Sequence, residues 1–238
     1  DLTVPLARVM AQYPDLPKPF KRYQIQPVFR AENTQKGRYR EIYQCDIDTV
    51  GTASQIADAE IITIISTSLN ALGLTNFTIR INSRKILFGI TQSASILQTL
   101  DKLDKKTEDE VKQELVSKGL SPDQISEIFS SIKSATPDVD LQRVIDLAQK
   151  MGVSNIKFDP TLVRGLDYYT GAIFETVVTE PKTGSITGGG RYDNLIKSLG
   201  GPDLPAVGTS FGLDRICDIT PPAVLTPTKV LVTVFTAE

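Results

Sequence analysis

Residues 28–48 read VFRAENTQKGRYREIYQCDID. Alternating or apolar segments at 22–30 and 40–49 flank a turn-like, charged loop at 33–37. Strand side chains alternate between two faces, and a short loop containing Asn and Gly joins antiparallel neighbours. The stretch therefore predicts an antiparallel β-hairpin with a charged loop, and the rest of the fold prediction extends from it.

The second strand of this hairpin places polar side chains on one face, because positions two apart along a strand point the same way. Burying such groups is costly unless a ligand satisfies them. The face is therefore a candidate ligand site, with a solvated sheet face as the equal alternative. The side chains that share it are Arg40, Ile42, Gln44, Asp46 and Asp48, with Arg30 and Glu32 from the first strand.

Segments on either side of this peptide add further elements. Apolar residues at helical spacing predict a helix at 53–72 that ends at Gly73, a good C-terminal stop. Apolar or alternating residues predict strands at 76–81 and 172–179. These elements predict a fold in which strands and helices are mixed.

The region 101–151 has a different character, because Lys, Asp, Glu and Gln dominate it. Ser121 followed by Pro122 predicts a helix N-cap with proline at the first helical position. This region is predicted to be a small helical insertion whose charged residues form a solvated face.

Composition limits the possible chemistry. The 238 residues have a net charge of -2, so any contact with nucleic acid must be local. Cys45 and Cys217 predict reduced thiols in a cytosolic protein, without a disulfide or a zinc site. The chain has no histidine, which excludes Ser-His triads, a histidine general base and the usual zinc sites. Chemistry must therefore use arginine, carboxylates, tyrosine and backbone dipoles.

Three more peptides concentrate polar, aromatic and glycine residues. LVRGLDYYTGAIFE at 162–175 suits a small, flat, anionic ligand, and half-buried strand tyrosines with turn glycines are the alternative. The glycines of TGGGRYDN at 187–194 let the backbone turn sharply or approach a ligand before a helix predicted from Asp193. VGTSFGLDRI at 207–216 places Arg215 near a strand-to-helix junction, which suits a phosphate. A packed helix with a local ion pair is the alternative.

Together these peptides resemble the histidyl-tRNA synthetases, which are class II aminoacyl-tRNA synthetases. The hairpin resembles class II motif 2, and GLDRI resembles motif 3. RGLDYYTG and GGGRYD resemble the two peptides that mark the histidine enzymes, and DLTVPLAR at 1–8 resembles the segment that holds the substrate amino group. The resemblance implies an α+β fold in which a class II antiparallel sheet is flanked by helices and carries a small helical insertion.

The resemblance also implies how the chain is divided. We expect the first part of a catalytic core at 1–100, the helical insertion at 101–155 and the second part of the core at 156–222. Residues 223–238 are expected to be a linker and the first strand of an anticodon-binding domain. No peptide resembles motif 1, so we expect a catalytic-domain fragment that is at best weakly active alone.

The resemblance assigns site residues to both substrates. Arg30 would contact the α-phosphate of ATP, Arg215 the γ-phosphate, and Arg164 would stabilise charge at the α-phosphate while the histidine carboxylate attacks it. The implied ATP-binding residues are Arg30, Glu32, Arg38, Ile42 and Arg215, with Ile42 standing where the family has an aromatic residue. The implied histidine-binding residues are Asp1, Thr3, Gln44, Asp48, Arg164, Tyr168, Tyr169 and Tyr192.

The implied activity is that of a histidine–tRNA ligase. Histidine and ATP would give histidyl-adenylate and pyrophosphate, and histidine would then pass to the 3′ end of tRNA(His). Mg²⁺ would bridge the ATP phosphates, no metal site on protein side chains is expected, and the catalytic residues would be Arg30 and Arg164. We expect a cytoplasmic homodimer that does not bind membranes. Two alternatives stay open: an inactive paralogue, such as a regulatory subunit of ATP phosphoribosyltransferase or a tRNA-sensing domain, and a class II ligase for another amino acid.

Overall fold

A computed structural model describes residues 1–31, 33–34, 39–104, 106–165, 168–181 and 184–220. Within these residues, seven strands form one mixed sheet in the order β1-β2-β7-β6-β5-β3-β4. Neighbouring strands are antiparallel except for β3 and β4, which are parallel. The strands are β1 Phe20–Phe29, β2 Glu41–Val50, β3 Phe77–Ser83, β4 Ile156–Phe158, β5 Ala172–Val178, β6 Ser185–Arg191 and β7 Ala206–Gly212.

The predicted hairpin is confirmed. Strands β1 and β2 pair antiparallel from Phe20 opposite Val50 to Phe29 opposite Glu41, so the predicted strand ends are wrong by only one or two residues. The predicted strands at 76–81 and 172–179 correspond to β3 and β5. Most of the predicted loop, together with Glu32 and Arg38, lies outside the described residues.

The predicted helices are confirmed where the sequence carries clear capping signals. Helix α2 begins after Ser54, whose hydroxyl accepts a hydrogen bond from the backbone N–H of Ile56. Helix α6 begins after Ser121, which forms a capping box with Gln124. The helices in the described residues are α1 Thr3–Gln12, α2 Gln55–Ala71, α3 Arg84–Ile90, α4 Ala94–Leu100, α5 Glu108–Ser117, α6 Pro122–Ser134, α7 Val139–Lys150, α8 Leu195–Ser198 and α9 Leu213–Ile219.

The main core lies between one face of the sheet and the helices α2 and α7. Ile61 and Ile65 of α2 are fully buried against Ile79 of β3 and Phe174 of β5. Burial of each such side chain stabilises the fold by roughly 1.5–3 kcal/mol. Because α2 and α7 cover this face, the opposite face of the sheet is left for a site.

The helical region is packed in two ways. Helices α3 to α6 surround a second apolar cluster that includes Leu97, Val111 and Phe129, and this cluster also contacts Ile173 of β5. Helix α7 packs instead on α2 in the main core. The helical region formed by α3 to α7 thus begins at Arg84, earlier than the predicted insertion. Its last helix, α7, packs in the main core. The division of the chain into domains stays a prediction.

The placement of the triple glycine excludes one of its two readings. Residues 188–190 lie inside strand β6 and do not form a sharp turn, and the helix expected from Asp193 is the short α8, which begins at Leu195. Neighbouring groups fill the space that side chains would need: a Cβ on Gly189 would lie 2.2 Å from the carbonyl oxygen of Gly208. The glycines therefore permit close packing across strands.

The remaining predictions concern the chain's end and its environment. The predicted linker and strand at 223–238 lie outside the described residues. None of the helices given above combines the length and the apolar character that crossing a bilayer requires. Cys45 is half-buried, which raises the pKa of its thiol, and Cys217 is exposed.

Candidate active site

The sheet register places the predicted polar residues on the face opposite the main core. Directly paired residues point to the same side of a sheet, so the pairing of the strands defines rows across it. We call this side the polar face. One row is Gln24, Asp46, Ser210, Gly188, Glu175 and Arg80. The next row is Arg22, Asp48, Gly208, Gly190, Ile173 and Asn82.

The glycines of the polar face make room for predicted site residues. A Cβ on Gly188 would lie 2.0 Å from Nη1 of Arg164, and a Cβ on Gly190 would lie 2.9 Å from the ring of Tyr169. A Cβ on Gly208 would lie 2.0 Å from the carboxylate of Asp48. Real Cβ atoms do not approach other atoms so closely, so each glycine leaves the space that the neighbouring side chain occupies, and at 190 and 208 the backbone carbonyl oxygens of Ala172 and Ile47 exclude a side chain as well. The pairs are Gly188 with Arg164, Gly190 with Tyr169, and Gly208 with Asp48.

The carboxylate of Asp48 is a buried polar group of the site. Its side chain accepts a hydrogen bond of 2.5 Å from the hydroxyl of Tyr192, and its second oxygen lies 2.9 Å from Nη2 of Arg22. Asp48 is 3% exposed. Burial raises the pKa of Asp48, and the nearby guanidinium of Arg22 opposes that rise. The site therefore holds a buried acceptor, as the assignment of Asp48 and Tyr192 to a polar ligand requires.

Arg22 was not identified from the sequence. It lies directly opposite Asp48 in the β1–β2 pairing and also donates a hydrogen bond to the carbonyl oxygen of Leu2. The alternation of β1 alone puts Arg22 on the same face as Arg30, but only the register places it opposite Asp48. The hairpin pairing was therefore the missing signal.

Two further buried acceptors lie beside Asp48 on strand β2. Within the described residues, Oε1 of Gln44 and Oδ1 of Asp46 have no hydrogen-bond partner, although both side chains are buried. Burial raises the pKa of Asp46 to about 6, and the charge of Asp48 adds to the rise. Unsatisfied buried acceptors are costly, so these oxygens suit a ligand rich in N–H donors, such as an ammonium group. Gln44 was predicted to bind the ammonium group of the substrate. Asp46 was predicted to share the same face and was given no role.

Three tyrosines line the same region. The rings of Tyr168 and Tyr169 lie 4.3 Å apart, and Tyr168 meets Tyr192 at 6.4 Å between ring centroids. Burial raises the pKa values of Tyr169 and Tyr192 well above the ordinary value. Both hydroxyls therefore stay protonated at neutral pH and can donate hydrogen bonds.

The segment that carries Arg164 and Tyr169 is fixed to the sheet at both ends. The buried side-chain amide of Asn82 donates to the carbonyl oxygen of Leu162 at 3.1 Å. At the other end, the backbone N–H of Thr170 donates to the carbonyl oxygen of Arg191 at 2.7 Å. The segment thus lies over the polar face, which is consistent with the pocket that its residue types predicted.

Two predicted phosphate-binding arginines meet at Ser185, at the start of β6. Nη1 of Arg164 donates to its hydroxyl oxygen at 3.2 Å, and Nη1 of Arg215 donates to its carbonyl oxygen at 2.6 Å. An ion pair with Arg215 is not needed to satisfy the carboxylate of Asp214. This carboxylate accepts a hydrogen bond of 2.7 Å from the backbone N–H of Tyr43. Both guanidiniums therefore lie beside Ser185, and their roles at a triphosphate stay predictions.

Arg30 has a different partner in this structure. Its guanidinium binds the carboxylate of Asp1 through two contacts of 2.9 and 2.6 Å. Arg30, which was predicted to contact the α-phosphate, is thus paired with Asp1, which was predicted to bind the substrate ammonium group. Thr3 is the first residue of helix α1, and Ile42 is partly buried on β2. Glu32 and Arg38 lie outside the described residues, so their roles stay predictions.

The arginine of the GGGRYD peptide supports the sheet rather than the site. Arg191 binds the buried carboxylate of Asp58 through contacts of 3.0 and 2.5 Å, and it donates to the carbonyl oxygen of Thr52 and to Asp193, each at 3.1 Å. Burial raises the pKa of Asp58, and the bonded Arg191 opposes that rise. This ion pair ties β6 to the start of α2.

Comparison with known proteins places this architecture in a family. The family model described as Histidyl-tRNA synthetase matches residues 1–216. The chain belongs to the histidyl-tRNA synthetase family. The fold prediction is confirmed as well, because a histidyl-tRNA synthetase from a Nostoc species superposes with a TM-score of 0.79 at 33% identity, covering 92% of this chain and 58% of that one.

Curated relatives are histidine–tRNA ligases. The Cytophaga hutchinsonii protein is 44% identical, over 92% of this chain and 55% of its own length. The Gloeobacter violaceus protein is 41% identical, over 91% of this chain and 56% of its own length. The chain of this synthetase-family protein therefore spans little more than half the length of the curated relatives that it matches.

A second solved structure shares the fold alone. It is described as an ATP phosphoribosyltransferase regulatory subunit/histidyl-tRNA synthetase from Bacillus halodurans, and it superposes with a TM-score of 0.76 at 22% identity. It covers 93% of this chain and 64% of its own. Synthetases and regulatory proteins can share one architecture, so function has to be argued from the site.

Proposed function

We propose that this chain is the catalytic domain of a histidine–tRNA ligase. The domain activates histidine with ATP to histidyl-adenylate and pyrophosphate and then transfers histidine to the 3′ end of tRNA(His). The observation that carries the proposal is the buried carboxylate of Asp48, held between Tyr192 and Arg22 beside Tyr169. A buried acceptor flanked by tyrosine hydroxyls suits the two nitrogens of an imidazole ring.

The histidine pocket has separate parts for the ring and the amino group. Asp48 and Tyr169 would bind the two imidazole nitrogens, and Tyr192 and Tyr168 would line the ring pocket. The oxygens of Gln44, Asp1 and Thr3 would accept hydrogen bonds from the α-ammonium. The buried, unpartnered Oε1 of Gln44 supports this division, because it is an acceptor within the described residues that a ligand could satisfy.

The phosphate side of the site would work by electrostatics and positioning. Arg164 and Arg215 already converge on Ser185, and Arg30 would leave Asp1 to contact the α-phosphate. Cations held around a phosphoryl centre stabilise the charge that develops there, and the histidine carboxylate supplies the nucleophile. No side-chain nucleophile takes part in this scheme.

Magnesium has a limited place in this proposal. Within the described residues, no three Cys, Asp or Glu side chains cluster in a way that could hold a metal ion. We propose that Mg²⁺ arrives on the ATP phosphates, where it would neutralise negative charge. Glu32 and Arg38, the other predicted ATP contacts, would act on the adenine amino group and the phosphates.

We also propose the setting in which the reaction takes place. The full-length protein would be a cytoplasmic homodimer that binds histidine, ATP and tRNA(His). These statements rest on membership of a family whose curated members are nearly twice as long as the part that this chain matches.

The decisive experiment is histidine-dependent ATP–pyrophosphate exchange by the full-length protein and its Arg164→Ala variant. Removing a preorganised cation at the reacting phosphate should lower kcat by about 100-fold or more. Arg143→Ala, on the exposed side of α7, is the matched control and should leave exchange unchanged. Normal exchange by Arg164→Ala would refute the role of Arg164. No exchange by the unmodified protein would favour a regulatory paralogue.

A further inference from the structure

The sheet register brings two residues without an assigned role next to Arg164. Arg80 of β3 lies directly opposite Glu175 of β5, and Glu175 lies directly opposite Gly188 of β6. The three positions form one row on the polar face. Since the guanidinium of Arg164 fills the space above Gly188, the row ends at that guanidinium.

The contacts along this row alternate in charge. Nη1 of Arg164 lies 3.6 Å from Oε1 of Glu175, whose other oxygen lies 3.9 Å from Nη1 of Arg80. Nε of Arg80 donates to Asp159 at 2.7 Å, and Asp159 accepts two bonds from Thr161, of 2.9 Å from its N–H and 2.6 Å from its hydroxyl. Two cations and two carboxylates thus follow one another from Asp159 to Arg164.

The inner members of this row are well enclosed. The side chains of Arg80 and Glu175 are 13% and 15% exposed, whereas that of Arg164 is 35% exposed. Ion pairs with little solvent around them are screened less than surface pairs and hold a more definite geometry. The row therefore has a fixed inner part and a more accessible end, which is the end that would meet a ligand.

We infer that Glu175, held by Arg80, positions the guanidinium of Arg164 for the adenylation step. The inference rests on the proposed function. Each contact that Arg164 makes with the described residues uses Nη1: the Ser185 hydroxyl, the Thr187 carbonyl oxygen and Glu175. A guanidinium held through one nitrogen can offer its remaining donors to a phosphate. Glu175 is thus a positioning residue, because it acts through Arg164.

Arg80 keeps this arrangement from opposing catalysis. A carboxylate beside Arg164 repels a phosphate, and Arg80 offsets that charge because it lies between Glu175 and Asp159. Loss of Arg80 would leave the carboxylate of Glu175 without the cation that separates it from Asp159. A lysine at this position would restore the charge.

The test is a double-mutant cycle in the full-length protein, with kcat and KM for histidine measured by ATP–pyrophosphate exchange. Misplacing a catalytic group by about 1 Å can cost up to about 100-fold. We expect Glu175→Gln to lower kcat about tenfold and to leave KM for histidine within about twofold. In the Arg164→Ala background the same substitution should cause no further loss, because Glu175 acts only through Arg164.

Three outcomes decide the matter. An equal loss of kcat from Glu175→Gln in both backgrounds, or no loss in either, would overturn the inference while leaving the proposed function intact. Absence of exchange in the unmodified protein contradicts the proposed function and this inference with it. Glu60→Gln, which breaks the exposed pair with Lys21, is the matched control and should change neither constant.

A second pair of variants covers the case in which Glu175→Gln fails to fold, as judged by circular dichroism. Arg80→Gln should lower kcat about tenfold, and Arg80→Lys should recover most of that loss. In the Arg164→Ala background, Arg80→Gln should again add nothing. A full loss in Arg80→Lys, or a loss from Arg80→Gln that persists without Arg164, would contradict the role of the row.

Discussion

Replacement of Asp46 by asparagine is expected to stabilise the protein, and to do so more at pH 8 than at pH 5. Burial raises the pKa of this carboxyl group from 3.8 to about 6, so the folded state holds a proton that the unfolded state releases. The free energy of unfolding therefore falls as pH rises from about 4 to about 6 and is constant beyond. A pKa rise of this size corresponds to about 3 kcal/mol of lost stability at pH 8, and about half of that at pH 5.

Urea unfolding followed by circular dichroism at the two pH values measures this difference. Asparagine has nearly the same shape as aspartate and no charge, so its advantage over Asp46 should grow by about 1.5 kcal/mol from pH 5 to pH 8. Asp159→Asn is the control of opposite sign, because the pKa of Asp159 is lowered and its carboxylate stabilises the fold at both pH values. An equal gain from Asp46→Asn at both pH values, or a loss at pH 8, would refute the reasoning.

Three further substitutions test separate parts of the structure. Arg191→Met leaves the buried Asp58 without its partner and should lower the free energy of unfolding by about 3–5 kcal/mol in urea titrations; an unchanged midpoint would contradict the proposed support of the sheet. Tyr192→Phe removes the donor to Asp48 and should raise KM for histidine about tenfold in pyrophosphate exchange while KM for ATP stays constant. Ile42→Phe should lower KM for ATP about fivefold, since stacking on adenine adds about 1 kcal/mol; no change would place Ile42 away from the base.

Features that depend on local periodicity could be predicted from the sequence. The alternation of β2 placed Gln44, Asp46 and Asp48 on one face, and the structure buries all three there. The N-cap predicted at Ser121 likewise marks the start of α6. In each case the signal lies within a few residues of the feature, so no tertiary information is needed.

Features that depend on register could not be predicted in the same way. Arg22 meets Asp48, and Arg80 meets Glu175, only because particular strands pair at particular positions. The triple glycine left open a sharp turn or a close approach of the backbone to a ligand, because glycine permits both. Within β6, the glycines leave space that side chains of other segments occupy, such as Arg164 at Gly188.

The pairing of Arg164 with Gly188 has an evolutionary consequence. The three atoms nearest to a Cβ at 188 all belong to Arg164, so a larger residue at 188 requires residue 164 to move or to be smaller, whereas backbone carbonyl oxygens of Ala172 and Ile47 also exclude a side chain at 190 and 208. Residues 164 and 188 lie far apart in the chain, yet 188 cannot vary freely while Arg164 keeps its place. We therefore expect the RGLDYYTG and GGGRYD peptides to be inherited as one unit, so that descendants which lose one should be released from constraint at the other. In a lineage that loses specificity for histidine, we expect substitutions in the two peptides to occur in pairs and not independently.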